Sequence, residues 1–365
     1  MKRIILTGGG TAGHVTPNLA LAAELQKRGY EILYIGRKKG IEKDLAEKAG
    51  LAYKGIPAGK LRRYLDIKNL IDPFRVLAGC SEAEFIIKKW KPDLVFSKGG
   101  FVSTPVVLMA GHQHVPAVIH ESDMTPGLAN RLCFRAAKRI LCNFPETLQY
   151  LPEGKGLVSG SPIREELLHG SRSRGLAFTG FSGEKPVLLV IGGSSGSLAI
   201  NAALREALPV LLPQFDIVHL CGSGNVDEEA ARPGYLQYEY INEELPDLFA
   251  AADLVLSRAG ANAVCELKRL CKPNLLIPLS KEVSRGDQEL NAESFRKHGY
   301  SMVLEEKDLT PESLTASLKD LYERRDIFRA AMESAGHTDS VRFICDLLDK
   351  LYAEKTLKQH ETARR

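Results

Sequence analysis

The sequence has no apolar run approaching the roughly 20 residues that a helix needs to span a bilayer, so no membrane-spanning segment is expected. Its opening, Met1-Lys2-Arg3 followed by Ile4-Ile5-Leu6, reaches Gly8 before it acquires the apolar length or small-residue cleavage site of a secretory signal. Cysteine is sparse: Cys80, Cys133, Cys142, Cys221, Cys265, Cys271 and Cys345 are scattered, odd in number and without a Cys-x-x-Cys pair. That usage fits reduced thiols and no zinc site, and the cytosol is the expected compartment. There is also no Asp-x-Asp ligand pair, so no metal is expected. A formal net charge of +4 is too small to imply nucleic acid, which is not expected as a partner, but it permits an anionic substrate or an anionic membrane surface.

What the chain does have is length and alternation. At 365 residues, 44% apolar and 26% charged, it exceeds what one core usually serves, and two domains are expected. Short β-branched runs alternate with longer amphipathic ones, the pattern of parallel strands joined by crossover helices. Strands are expected at Arg3–Thr7, Glu31–Gly36, Asp93–Ser97, Ala117–His120 and Arg139–Cys142, with helices at Asn18–Arg28, Glu82–Trp90 and Thr104–His112. After a weakly apolar Gly/Ser/Arg-rich stretch the pattern restarts, with strands at Val187–Ile191, Asp216–Leu220, Leu254–Ser257 and Asn274–Pro278. The expected fold is α/β, two Rossmann-like domains facing a cleft. Residues 1–162 form the first domain, 163–338 the second, and 339–365 a helix with a polar tail that frays from His360.

Both halves open with a strand running into glycines and then a helix. Gly8-Gly9-Gly10-Thr11-Ala12-Gly13-His14 precedes a helix begun by Pro17, so its amides can approach an anion or diphosphate. The same cluster contains Gly-x-Gly-x-x-Gly, but the second strand ends at Arg37 instead of an acidic ribose ligand, which disfavours NAD and leaves NADP open. Gly192-Gly193-Ser194-Ser195-Gly196 repeats the device, and glycines that merely close tight turns would account for either cluster alone. Ser257 to Glu266 forms a small-residue turn into a helix, where Glu266 can accept from ribose hydroxyls or simply lie exposed. Gln288 and Asn291 are amides at helical spacing, suited to polyol recognition or to a solvated helix start. Lys98-Gly99-Gly100 and His120-Glu121-Ser122-Asp123 lie at strand ends, where open α/β sheets bind ligands, and suit an acceptor.

Taken in order, Gly9 to Pro17, Lys98 to Ser103, His120-Glu121, Gly160-Ser161-Pro162-Ile163-Arg164, Gly192-Gly193-Ser194 and Gln288-x-x-Asn291 resemble the bacterial peptidoglycan N-acetylglucosaminyltransferases of glycosyltransferase family 28. The resemblance covers nearly the whole chain. It implies the GT-B fold, an N-terminal acceptor domain, a C-terminal donor domain and transfer from UDP-GlcNAc to undecaprenyl-pyrophosphoryl-MurNAc-pentapeptide. It further implies that Ser194 and Arg164 contact the diphosphate and that the Ile241 backbone meets uracil. Ala261, Asn262, Ala263, Val264, Cys265 and Glu266 would hold nucleotide and ribose, while Gln288 and Asn291 would read the donor sugar. Thr11, Ala12, Gly13 and His14 would line the cleft at the reacting centre. The chain departs from the family at Ala12, where glycine is usual, and at Ser122-Asp123, where the family carries neutral amides.

An α-linked donor and a β-linked product require one inverting displacement with one general base. His14 is the first choice and Glu121 the reserve, with His14 as a phosphate-orienting or helix-capping residue the plainer alternative. No cofactor is expected. Lys60-Leu61-Arg62-Arg63-Tyr64, continuing through Ile67, Leu70, Ile71, Phe74 and Leu77, mixes cations with apolar residues. It suits peripheral attachment to the cytoplasmic face of the cell membrane, or equally a helix burying one face in a core. Alternatives of another class are an NADP-dependent oxidoreductase, a binding module that has lost catalysis, and a transferase of the same fold with a different lipid acceptor.

Overall fold

The computed structural model describes residues 2–59, 72–193, 196–282, 284, 286–336 and 338–363. The chain divides into two compact units, Met1–Arg164 with Thr338–Arg365, and Glu165–His337.

In the first unit the described residues form seven strands: β1 (Lys2–Thr7), β2 (Tyr30–Arg37), β3 (Ala52–Ile56), β4 (Leu94–Ser97), β5 (Ala117–Glu121), β6 (Arg139–Cys142) and β7 (Gly156–Val158). Their order is β3-β2-β1-β4-β5-β6-β7, and all pairs are parallel. Parallel sheets need cover on both faces, which is why Ile4, Ile5 and Leu6 are all apolar and all fully buried. Alternation along the strand sends Ile4 and Leu6 into one core layer with Tyr34 and Phe96, and Ile5 into the other with Ile35, Val95 and Ile119.

The tail is not a separate appendage. Helix Ser340–Ala363 belongs to the first unit and places Ile344, Leu348 and Leu351 in the same layer as Ile4. Asp349 takes Lys2 Nζ at 2.8 Å and the Tyr30 hydroxyl at 2.9 Å, and Arg28 pairs with Asp346 and Asp349. Helical backbone continues to Ala363, past His360 where fraying was expected.

The second unit holds β8 (Val187–Ile191), β9 (Asp216–Leu220), β10 (Tyr235–Tyr238), β11 (Leu254–Ser257), β12 (Asn274–Leu276) and β13 (Met302–Val303), ordered β10-β9-β8-β11-β12-β13 and again parallel. Leu188, Val190, Leu204, Leu208, Leu254 and Leu256 form its core against helix Leu198–Leu211. Ser197 caps that helix, its Oγ accepting from Ile200 N at 3.3 Å.

Candidate active site

Each sheet has one switch point, between β1 and β4 in the first unit and between β8 and β11 in the second, where connections depart to opposite sides. In open α/β sheets such switch points are where ligands bind, outside the carboxyl ends of the strands. The glycine clusters follow β1 and β8, at those two positions.

In the first unit the loop after β1 is held from below. Asn18, fully buried, donates to Thr7 O at 3.1 Å and His14 O at 3.4 Å, and the Tyr34 hydroxyl donates to Gly8 O at 2.9 Å. His14 is half-buried, and its Nδ1 lies 3.1 Å from Thr11 Oγ1. The loop after β4 presses against this one: a β-carbon at Gly100 would lie 2.3 Å from Gly9 O, and Gly100 has φ +86. Gly100→Ala should therefore cost roughly 1–3 kcal/mol from the left-handed backbone alone. The steric shift adds to this and should carry activity down with the melting temperature. Thermal unfolding at wild-type temperature would refute the reading.

Behind Gly99 and Gly100, Lys98 is only 1% exposed. Its Nζ donates to His120 Nδ1 at 2.8 Å and to Ser122 Oγ at 2.6 Å, while His120 Nε2–H donates to Gly160 O at 2.9 Å. Burial and the neighbouring ammonium hold His120 well below the ordinary imidazole range, so the ring is neutral. Glu121 is buried too. Its Oε1 accepts from Asp123 N at 3.1 Å, and its Oε2 accepts from Gly127 N at 3.0 Å and Asn130 Nδ2 at 2.8 Å. Burial raises its pKa against these bonds, and the carboxyl group anchors the 122–127 loop. Asp123 is half-buried on that loop.

Arg37, the residue that would have read an NADP phosphate, is committed elsewhere. Its Nε and Nη2 donate to the two oxygens of the fully buried Glu42 at 2.7 and 3.1 Å, a bidentate pair that holds the Glu42 carboxyl below its usual range even against burial. Glu42, absent from the sequence-derived set, also packs beneath Gly9.

In the second unit Ser194 lies outside the described residues. Beside it Gly196 has φ +74, and a β-carbon there would meet Cys221 O at 2.0 Å, so only glycine admits this turn. Helix Ala261–Arg269 begins directly after the β11 turn. It buries Ala261, Val264 and Leu267 and leaves Asn262, Ala263, Cys265 and Glu266 half-exposed on its other side, as helical spacing dictates. Ile241 is buried in the segment between β10 and helix Leu245–Ala251. Asn291 is fully buried; its Nδ2 donates to Ala259 O at 3.2 Å and braces the β11 turn, while its buried Oδ1 has no hydrogen-bond partner. Half-buried Gln288 accepts from Leu279 N at 3.0 Å and so braces the loop after β12.

The residue that joins these loops is Arg258, to which the sequence reading gave no role. Its guanidinium, 12% exposed, donates to Ser197 Oγ at 2.7 Å and to Ile277 O at 3.2 Å and pairs with Glu306. An arginine set between a strand end and a Gly/Ala turn was the available signal. Arg164 is the last residue of the first unit and carries a buried Nε without a hydrogen-bond partner. Among the described residues no three His, Cys, Asp or Glu side chains gather as a metal-ligand set.

Two open parallel α/β units, each with a glycine turn and a helix N-terminus at its switch point, define a GT-B glycosyltransferase fold. The fold is similar to the crystal structure of MurG from Acinetobacter baumannii, with TM-score 0.77 and 24% identity over 96% of this chain and all of that one. It is also similar to CalG4, the calicheamicin glycosyltransferase, with TM-score 0.72 and 18% identity over 97% and 99%. Residues 4–142 match the glycosyltransferase family 28 N-terminal domain and residues 187–346 the glycosyltransferase family 28 C-terminal domain. The chain is 57% identical, over 95% of its length and 99% of the relative's, to the UDP-N-acetylglucosamine–N-acetylmuramyl-(pentapeptide) pyrophosphoryl-undecaprenol N-acetylglucosamine transferase of Lachnospira eligens. It is 56% identical, over 96% and 99%, to the enzyme of that name from Lachnoclostridium phytofermentans. The chain belongs to glycosyltransferase family 28, among the N-acetylglucosamine transferases of that name.

Proposed function

We propose that the protein transfers N-acetylglucosamine from UDP-GlcNAc to the MurNAc of undecaprenyl-pyrophosphoryl-MurNAc-pentapeptide, the lipid I to lipid II step of peptidoglycan synthesis. The observation that carries this is the near-complete, 57% identical match to a transferase of that name. The two glycine turns give that match a physical basis.

The acceptor hydroxyl attacks the anomeric carbon from the face opposite UDP. A new C–O bond forms as the bond to the diphosphate breaks, UDP leaves with the electron pair, and the α-linked sugar becomes β-linked. His14 takes the hydroxyl proton. Nδ1 lies 3.1 Å from Thr11 Oγ1, and in the tautomer that donates Nδ1–H to that hydroxyl, Nε2 is the basic nitrogen. On the donor side, the first-turn amides of helices Leu198–Leu211 and Ala261–Arg269 favour the charge that develops on UDP. Arg164 and Ser194 complete the diphosphate contacts, with Ile241 at the base and Glu266 at the ribose.

UDP release from UDP-GlcNAc, measured with and without a soluble lipid I analogue, tests the reading. Release should depend on the analogue and persist unchanged in EDTA, because cationic and amide groups carry the leaving charge. Release without acceptor dependence would leave an unassigned sugar transferase. Loss of activity in EDTA would reinstate a metal.

The acceptor is a lipid, so the enzyme works at the cytoplasmic face of the membrane without crossing it; among the described residues no helix is long and apolar enough to cross. Residues 60–71, the cationic and apolar stretch, lie outside those described. Helix Asp72–Trp90, which follows, carries Leu77 and Phe85 each 64% exposed, with Lys89 beside the Phe85 ring. Arg63→Glu with Phe74→Asp should cut flotation with anionic vesicles about tenfold or more, since each basic residue at such a surface contributes about 1 kcal/mol. Flotation unaffected by the pair would remove this attachment.

A further inference from the structure

The 122–127 loop is pinned at four points from inside the first unit. Lys98 Nζ reaches Ser122 Oγ, Asn143 Nδ2 donates to Ser122 O at 2.8 Å, and Thr147 Oγ1 donates to Met124 O at 3.0 Å. Glu121 accepts from Asp123 N and Gly127 N. Three of these groups are neutral or anionic; Lys98 is the cation, and its backbone N also donates to Thr7 O, where the His14 loop begins. One residue thus ties the end of β1, through its backbone N after β4, to the loop after β5, through its side chain. Through His120 the tie continues to Gly160 O, four residues before the first unit ends.

A lysine 1% exposed is not placed to touch a substrate. We infer that Lys98 is a positioning residue, which acts through Ser122 and His120 to fix the 122–127 loop in the register that the lipid-linked acceptor meets. This rests on the reaction proposed above, and it replaces direct contact by Lys98 with action through two partners. Neutral His120 is needed because its Nδ1 must accept from the ammonium while Nε2–H donates to Gly160 O. A charge-assisted bond to a hydroxyl is stronger than a neutral one, and the loop end that carries it is held the more firmly.

The test uses the full-length protein with Lys98→Met, Ser122→Ala and Ser122→Thr. Lys98→Met and Ser122→Ala should raise the acceptor KM by about tenfold, the equivalent of one such bond, more than they lower kcat, with the UDP-GlcNAc KM unmoved. Ser122→Thr retains the hydroxyl and should restore the acceptor KM. Amide hydrogen exchange over residues 122–127 should accelerate in Lys98→Met and Ser122→Ala but not in Ser122→Thr. This readout needs no turnover, so it stands or falls apart from the proposed reaction. Should Lys98→Met fail to fold, the two Ser122 variants carry the decision. Unchanged exchange, or donor and acceptor KM rising together, would overturn the inference.

Discussion

Replacing His14 by alanine should lower acceptor-dependent UDP release by about 10²–10⁴-fold, the contribution of a positioned general base, while leaving the UDP-GlcNAc KM close to wild type. The expectation follows from geometry. The imidazole stands in the loop after β1 at the switch point, and Thr11 holds one of its nitrogens. The loop carrying it is anchored through Asn18 and Tyr34, and the substitution removes the proposed proton acceptor while leaving those anchors in place. The pH–rate profile gives an independent check. A base works only when unprotonated, so wild-type kcat should fall at acid pH, and that acid limb should vanish in His14→Ala. Glu121→Gln is the control. Its carboxylate holds the 122–127 loop, so the variant should be less stable and bind acceptor worse while keeping the acid limb. If Glu121→Gln erases the limb and His14→Ala keeps it, the roles are reversed.

Much of this arrangement was legible in the residues, and the divide between what was and was not is physical. Central strands announce themselves because both faces are buried, as in Ile4-Ile5-Leu6 and Val187-Leu188-Leu189-Val190. Edge strands do not: β3 alternates exposed and covered residues through Lys54 and Gly55, and β13 is two residues long. The apolar stripe of Ile344, Leu348 and Leu351 identifies an amphipathic helix but not the sheet it covers, so its return to the first unit was not foreseen. Glycine loops between strand and helix carry their meaning locally, and both clusters lie at the switch points, where strand-to-helix turns were expected. Polar side chains do not, because their work depends on burial. Glu121 reads in the sequence as a reserve base and Asn291 as a sugar contact, and in the structure each makes hydrogen bonds that brace a loop. Lys98 reads the same way, since lysine is so rarely buried.

Arg258→Met should be the most damaging change in the second unit outside the ligand contacts. The guanidinium holds three strand-end loops at once: Ser197 after β8, its own turn after β11, and Ile277 and Pro278 after β12. Methionine keeps most of the volume but leaves the Ser197 hydroxyl and two carbonyls short of a donor and Glu306, 24% exposed, without its cation. Breaking a fully buried pair costs roughly 3–5 kcal/mol, and partial exposure here brings the figure to about 2–3 kcal/mol. For a unit of this size that is a fall of roughly 4–12 °C in melting temperature. The donor KM should rise by about tenfold or more, because the cap at Ser197 sets the N-terminus of helix Leu198–Leu211 and the β11 turn sets that of helix Ala261–Arg269. Adding Glu306→Gln separates the two causes. It removes the stranded carboxylate and should recover part of the stability, yet it cannot restore the bonds to Ser197 and Ile277, so the donor KM should stay high. Recovery of both together would mean that the ion pair alone matters and that the loops do not depend on Arg258 for their register.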